Sequence, residues 1–423
     1  MRNPAPIIAT LFLAALTLFL ILRKPPKPVV VPPVEKKLPS ALSILGELPD
    51  WTELDEFQHT ITRSDFEILL SDIFTTDTTW QEFITIQDES AEILTSSDLN
   101  EPPFILHFSQ PENTRPTPRH WQSTASLPAR PAGKPLANLH IAIDPGHIGG
   151  EWAKIEGRWF QIDGAKPVTE GDMTLHVAKL LKPQLEEMGA KVSLVRENPD
   201  PVTPLRPENL TELAENDDTL TDPLSLQRFT EKLFYRTAEI RARAELVNDT
   251  LKPDLVLCLH FNADAWGDPT TPTLVPKNHF HVLVNGAYTP DEIRLADQRF
   301  DMLKKLLQRT HEEELIVGRT VAETFAKISG LPPYIYYPGG GNFRSIPSSP
   351  YLYARNLLAN RLYDCPVIFM EPYVMNSIPD YNRIQAGDYL GLREIDGKFL
   401  PSIFQEYANA LAQGLAQHYG NQP

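Results

Sequence analysis

Cysteine is scarce in this chain of 423 residues: there are two, Cys258 and Cys365. No CxxC pair exists, which argues against a cysteine-built zinc site. Both lie in apolar runs, VLCLH and DCPVIFM. They read as buried thiols acting as small hydrophobes, with a disulfide between them as the alternative. Net positive charge is absent too, the formal charge being -16. That argues against a nucleic-acid partner, which needs a net basic face, but leaves room for a local basic pocket. No internal repeat is found. The one strongly apolar run, residues 7–22, lacks an A-x-A cleavage site after it, and Arg23-Lys24 follows directly. This favours an uncleaved signal anchor over a cleaved signal peptide. The run is a little short of the roughly 20 residues of a full span, and basic residues on both sides leave its orientation open.

What is present is ordinary globular composition, 42% hydrophobic and 22% charged, over a length that allows two or three domains. Proline is abundant at 40 residues, much of it clustered. Residues 1–24 form the signal anchor or signal peptide, and 25–39 a Pro-rich, extended spacer. Residues 40–110 read as a small accessory domain without a chemical motif. There, Phe57 to Phe74 and Trp80 to Ile93 carry helix-like apolar spacing, and Pro103 to Phe108 reads as a strand. A second linker covers 111–135.

From 136 to 423 the pattern is that of an α/β domain. Strands are expected at Leu139–Ile143, Ala190–Val195, Leu255–His260, His279–Val284 and Pro366–Met370. Helices are expected at Asp172–Met188, Phe229–Val247, Leu315–Ile328 and Ile403–His418. Such alternation indicates a largely parallel sheet flanked by helices. The stretch 197–230, rich in Asp, Glu, Pro and Thr, reads as an insertion, either a solvated excursion or a lid over the site.

Three polar residues end apolar strands: His147 in IAIDPGH, His260 in LVLCLH and Glu371 in VIFMEPY. Ligands of open α/β sheets bind in the crevice at the carboxyl ends of strands, so the three can converge. Glu170 opens a helix and can turn toward the same crevice. Two imidazoles and a carboxylate form a common ligand set for catalytic zinc, with a position left for water. A second carboxylate then serves as general base and acid. This suggests His147, Glu170 and His260 as metal ligands and Glu371 as the proton shuttle. Singly, each has a plain structural reading: a strand-end histidine, a carboxylate at a helix N-terminus, a surface glutamate.

Together, in order, these segments resemble the zinc-dependent N-acetylmuramoyl-L-alanine amidases. The carrying motifs are Ile143-Asp-Pro-Gly-His-Ile-Gly-Gly150, Glu170-Gly-Asp-Met-Thr-Leu175, Gly189-Ala-Lys-Val-Ser-Leu-Val-Arg196, Arg243 with Asn248 and Leu259-His-Phe-Asn-Ala263, and Met370-Glu-Pro-Tyr-Val-Met-Asn376. The resemblance runs from about Ala137 to the C-terminus. It implies a mixed sheet wrapped by helices, one Zn2+ held by His147, Glu170 and His260, catalysis by Glu371, and Arg243 and Asn262 in support. The implied reaction is hydrolysis of the amide between N-acetylmuramic acid and L-alanine of the peptidoglycan stem peptide. The implied setting is the periplasm or cell envelope, with peptidoglycan and the membrane as partners and a regulatory protein partner open.

The sequence departs from the pattern in places. Gly171 replaces a lysine, and the stretch between His147 and Glu170 is long, holding Trp152, Trp159 and Phe160. Asp172 and Glu151 therefore stand as rival carboxylate ligands. Gly339 to Arg344 can cradle substrate or be a plain loop, and Tyr334 to Tyr337 can contact sugar or pack in the core. The alternatives in function are a zinc peptidase or carboxypeptidase acting on wall peptides, and a non-catalytic wall-binding protein.

Overall fold

The computed structural model of the chain describes residues 42–96, 101–216, 220, 222–337 and 340–420. The expected signal anchor and Pro-rich spacer lie outside the described residues. Among the described residues, no helix is long and apolar enough to cross a membrane.

Residues 51–108 begin with a 3-10 turn at Trp51–Phe57, helix α1 (Arg63–Leu69) and a π turn at Leu70–Phe74. Thr62 caps α1 by accepting from the Asp65 amide. Beyond it the sequence expectation fails: Trp80 to Ile93 is not helical. A 3-10 turn at Thr79–Glu82 leads into strands β1 (Ile84–Ile86) and β2 (Ser90–Ile93), which pair antiparallel and continue to β3 (Phe104–His107). The apolar residues near 83–93 are few enough to satisfy either period. The hairpin wins because it sets Ile84 opposite Ile93 and buries both.

The larger sheet contains β4 (His140–Pro145), β7 (Lys191–Leu194), β8 (Leu255–Leu259), β9 (Phe280–Val284), β10 (Arg344–Ser345), β11 (Leu352–Ala354) and β12 (Val367–Pro372). A small separate hairpin, β5 (Trp159–Phe160) with β6 (Val168–Thr169), precedes β7. Spatial order across the sheet is β10-β11-β9-β12-β8-β4-β7. The pairs β11/β9, β12/β8, β8/β4 and β4/β7 are parallel, whereas β10/β11 and β9/β12 are antiparallel. The sheet is thus mixed and mostly parallel, as expected.

Side-chain alternation on the central strands separates two cores. Ile141, Ile143, Leu255, Leu257, Leu259, Ile368 and Met370 face one side. Against that side pack helix α2 (Glu170–Glu187), through Met173, Val177, Leu181 and Leu185, and the C-terminal helix Ile403–Gly420. Ala142, Val256, Cys258, Val367 and Phe369 face the other side, with Tyr363 and Cys365. Both cysteines are free and buried in that second core, which removes the disulfide alternative.

The expected helix at Phe229–Val247 is longer and less regular. It runs from Pro223 to Leu251 with π turns at Leu233–Ala238 and Leu246–Leu251 on either side of α3 (Glu239–Glu245). Helix α4 (Ala296–Gln308), absent from the sequence expectation, gives Phe300, Met302, Leu303, Leu306 and Leu307 to an apolar core shared with residues of 54–108. The described part of 197–230 packs Leu210 and Ala214 on Ile148, Leu233 and Phe234.

Candidate active site

The same alternation that divides the cores places the site. Asp144, His260 and Glu371 have the parity of Ala142, Cys258 and Phe369, so they extend one face of three adjacent parallel strands. Register brings them level: Pro145 pairs with Leu259, and Leu259 with Met370. The Gly146 amide donates to the Leu259 carbonyl at 2.9 Å, and the His260 amide to the Met370 carbonyl at 3.1 Å. Gly146 admits no side chain, because a Cβ there would overlap the His260 ring. His147 follows in a left-handed conformation, φ 62°, turning its ring back over the strand ends.

Helix α2 supplies Glu170 at its first residue. Gly171 beside it is required by packing, since a Cβ would overlap the Ile148 carbonyl; this accounts for the departure from lysine. Glu170 is buried, at 1% exposure. Its Oε1 accepts from the Phe261 amide at 3.0 Å and lies 3.2 Å from His147 Nε2 and 3.3 Å from His260 Nδ1. Among the described residues its Oε2 is buried without a hydrogen bond, and the Arg158 guanidinium lies 3.5 Å away. One ligand atom from each of His147, Glu170 and His260 lies within 4.8 Å of the others.

The residues fit a divalent metal. The donor set is two imidazoles and a carboxylate, and one oxygen of that carboxylate is buried without a hydrogen bond. His147 Nδ1 is occupied by Glu156 at 2.5 Å, which leaves Nε2 for an ion. Charge agrees. Although burial opposes it, Glu170 and then Glu156 raise His147 to about 9. Burial works against ionisation of Glu170, yet His147 and Arg158 hold it well below the usual carboxylate range. Glu371 is raised, chiefly by burial and further by Glu170, against the pull of His260. Its neighbourhood therefore favours a positive ion.

The rival carboxylates stand elsewhere. Both Asp172 oxygens accept from the Gly150 amide, at 3.0 and 3.1 Å, and Glu151 is exposed and paired with Lys154 at 2.9 Å. Arg243 is buried behind the cluster. It binds Asp144 at 2.8 Å, Glu239 at 2.7 Å, and the carbonyls of Pro145 and His147 at 2.8 Å. Asn262 lines the cleft, and its amide nitrogen lies 3.5 Å from His281 Nδ1. Sequence reasoning missed Glu156, Arg158 and His281. Glu156 carries no motif signal, and His281 is placed only by its register opposite Glu371 on β9.

The cluster lies in a cleft of about 420 Å³, whose lining includes Arg158, Arg236, Tyr334, Tyr336 and Arg355. Among the described residues of 197–230, none lines this cleft.

Residues 141–324 match the family model described as N-acetylmuramoyl-L-alanine amidase. No curated protein matches the sequence. Similar solved structures include the apo form of Ami1 from Mycobacterium abscessus (16% identity, 67% of this chain and 99% of that chain, TM-score 0.38). Others are the CwlD amidase from Clostridioides difficile in complex with the GerS lipoprotein (13%, 67% and 99%, TM-score 0.38) and AmiC2 of Nostoc punctiforme (15%, 68% and 99%, TM-score 0.34). The match begins on β4 and takes in both histidines and Glu170, and it ends before β12, which brings Glu371 to the same cleft through its pairing with β8. Over residues 141–324, which hold both histidines and Glu170, the chain carries an N-acetylmuramoyl-L-alanine amidase domain.

Proposed function

We propose that the protein hydrolyses the amide bond between N-acetylmuramic acid and the L-alanine of the peptidoglycan stem peptide, with one Zn2+ held by His147 Nε2, Glu170 and His260 Nδ1. The observation that carries the reading is Glu170 Oε1 within 3.3 Å of both imidazole nitrogens, with Glu371 on the adjacent strand end. Bound there, zinc supplies a Lewis acid that polarises the scissile carbonyl and acidifies water. Glu371 takes a proton from the attacking water onto a carboxylate oxygen. It then delivers that proton to the leaving L-alanine nitrogen. Glu156 holds the Nδ1 proton of His147 and so fixes its tautomer. Arg243, by binding the His147 carbonyl, keeps the left-handed turn in place. Asn262 extends the cleft wall beside His281.

The substrate is wall polymer, so the protein works in the periplasm or cell envelope, and residues 7–22 are the segment that would carry and tether it there. The test is digestion of purified peptidoglycan by the protein, with and without a chelator, with products read by mass. Chelator-sensitive release of intact stem peptides bearing a free L-alanine amine is expected. Cleavage within the stem peptide would replace this reading by a zinc peptidase. Zinc binding without cleavage would replace it by a wall-binding protein.

A further inference from the structure

A second groove lies beside the cleft. Arg158 and Ala263 line both, so the two are immediate neighbours. Its walls are Trp159, on β5, and Trp266, on the loop that follows His260. Both indoles are half-buried. Small residues, among them Gly157 and Ala265, complete the lining.

The groove is held from several directions. The β5–β6 hairpin is tied to the Trp266 loop by the Gln161 amide donating to the Pro269 carbonyl at 2.9 Å. The Trp266 carbonyl accepts from the Thr273 amide at 2.8 Å. Trp266 also packs on Phe160, ring centroids 5.2 Å apart. One rim carboxylate, Asp264, is neutralised by Lys277 at 3.0 Å, and the Lys154 ammonium sits 5.3 Å from the Trp159 ring centre. The surface is therefore preformed, aromatic and largely without free charge.

The main cleft differs in character. Arg236 and Arg355 line it, and among the described residues neither pairs with a carboxylate. Unpaired guanidinium groups suit the carboxylates of a peptide, whereas a groove lined by two indole rings suits a neutral, amphipathic ring with apolar C–H faces. The bond cut at the cluster joins a peptide to a sugar of a long glycan strand. One side of the scissile bond therefore matches the arginine-lined cleft, and the other continues as saccharide.

We propose that the Trp159–Trp266 groove is a glycan subsite, which stacks a sugar of the peptidoglycan strand neighbouring the one at the cluster. This rests on the amidase reading for its placement, but its test does not need turnover. Binding of peptide-free glycan strands to the full chain is followed by intrinsic tryptophan fluorescence and calorimetry, for the parent, Trp159→Ala and Trp159→Phe. The expected result is binding by the parent, about ten-fold weaker binding by Trp159→Ala, as loss of one aromatic contact predicts, and partial rescue by Trp159→Phe. In parallel, Trp159→Ala should raise KM on polymeric peptidoglycan about ten-fold more than on a single-sugar muramoyl peptide.

Circular dichroism establishes that the variants are folded. A folded Trp159→Ala protein that binds strands as the parent does, or a parent that does not bind them, overturns the proposal. Glycan binding without hydrolysis would leave the groove standing and remove the amidase reading. Hydrolysis insensitive to Trp159→Ala on polymer would do the reverse.

Discussion

Glu156 grips the first histidine of the cluster from behind: its Oε1 lies 2.5 Å from His147 Nδ1, while its Oε2 accepts from the Ile148 amide at 2.8 Å. One buried carboxylate thus fixes both the ring and the backbone that follows it. Outer partners of this kind change metal affinity roughly 10–100-fold. Glu156→Ala is expected to weaken zinc binding by about that factor in a chelator competition. An unchanged affinity would show that the contact does not orient the ligand.

Glu371 is expected to move protons, not to hold the ion. Glu371→Gln should retain one zinc per chain by elemental analysis and lose about 10²–10⁴-fold in turnover. A variant that loses its metal would shift Glu371 into the ligand set. A variant that keeps wild-type turnover would end its role in catalysis.

Arg243 is buried between Asp144 and Glu239. Burial alone would lower it, but the two carboxylates raise it above the usual guanidinium range. Removing one partner of such a set strands the other charges, at a cost of about 3–5 kcal/mol. Arg243→Met is expected to lower the urea midpoint correspondingly. A hydrophobic replacement of equal stability would mean that the network relaxes to water.

Acid should destabilise the protein through His311, which burial lowers to about 4, with Glu312 opposing and Arg309 reinforcing. The unfolded imidazole takes up its proton near 6.5. Between there and about 4 the unfolded state binds the proton and the folded state does not. Stability contributed by the neutral ring is therefore present above about 6.5 and lost as pH falls, at about 1.4 kcal/mol per pH unit. His311→Phe should flatten the fall in unfolding free energy across that window by one proton. An identical slope in the variant would show that His311 is protonated in the fold.

Metal removal should cost stability as well as activity. At zinc concentrations about 100 times Kd, binding adds about 2.7 kcal/mol to the folded state. Chelation is therefore expected to lower Tm, and an unchanged Tm on adding zinc to stripped protein would argue against a bound ion.

The strands that carry the site were legible because parallel, fully buried strands read as unbroken apolar runs. Leu255–Leu259 and Val367–Met370 are such runs, and His260 and Glu371 break them. Glu170 was legible from its place before a helix. The hairpin at 84–93 was not, because a short stretch with few apolar residues satisfies both periods. Helix α4 was passed over because its buried face includes Asp297, Gln298, Arg299 and Lys305. Their burial depends on distant partners: Lys305 donates to the Tyr363 and Cys365 carbonyls at 2.9 and 2.7 Å.

By itself the sequence determined that His147, Glu170, His260 and Glu371 stand at strand or helix ends, since periodicity and end signals are local properties of the chain. Strand order and register were decided only in the tertiary structure. These brought residues 147, 170, 260 and 371 to one cleft, placed Glu156 behind His147, and opened a tryptophan-walled groove beside them. Such relations join residues far apart in the chain, and their free energy exists only when the sheet has formed.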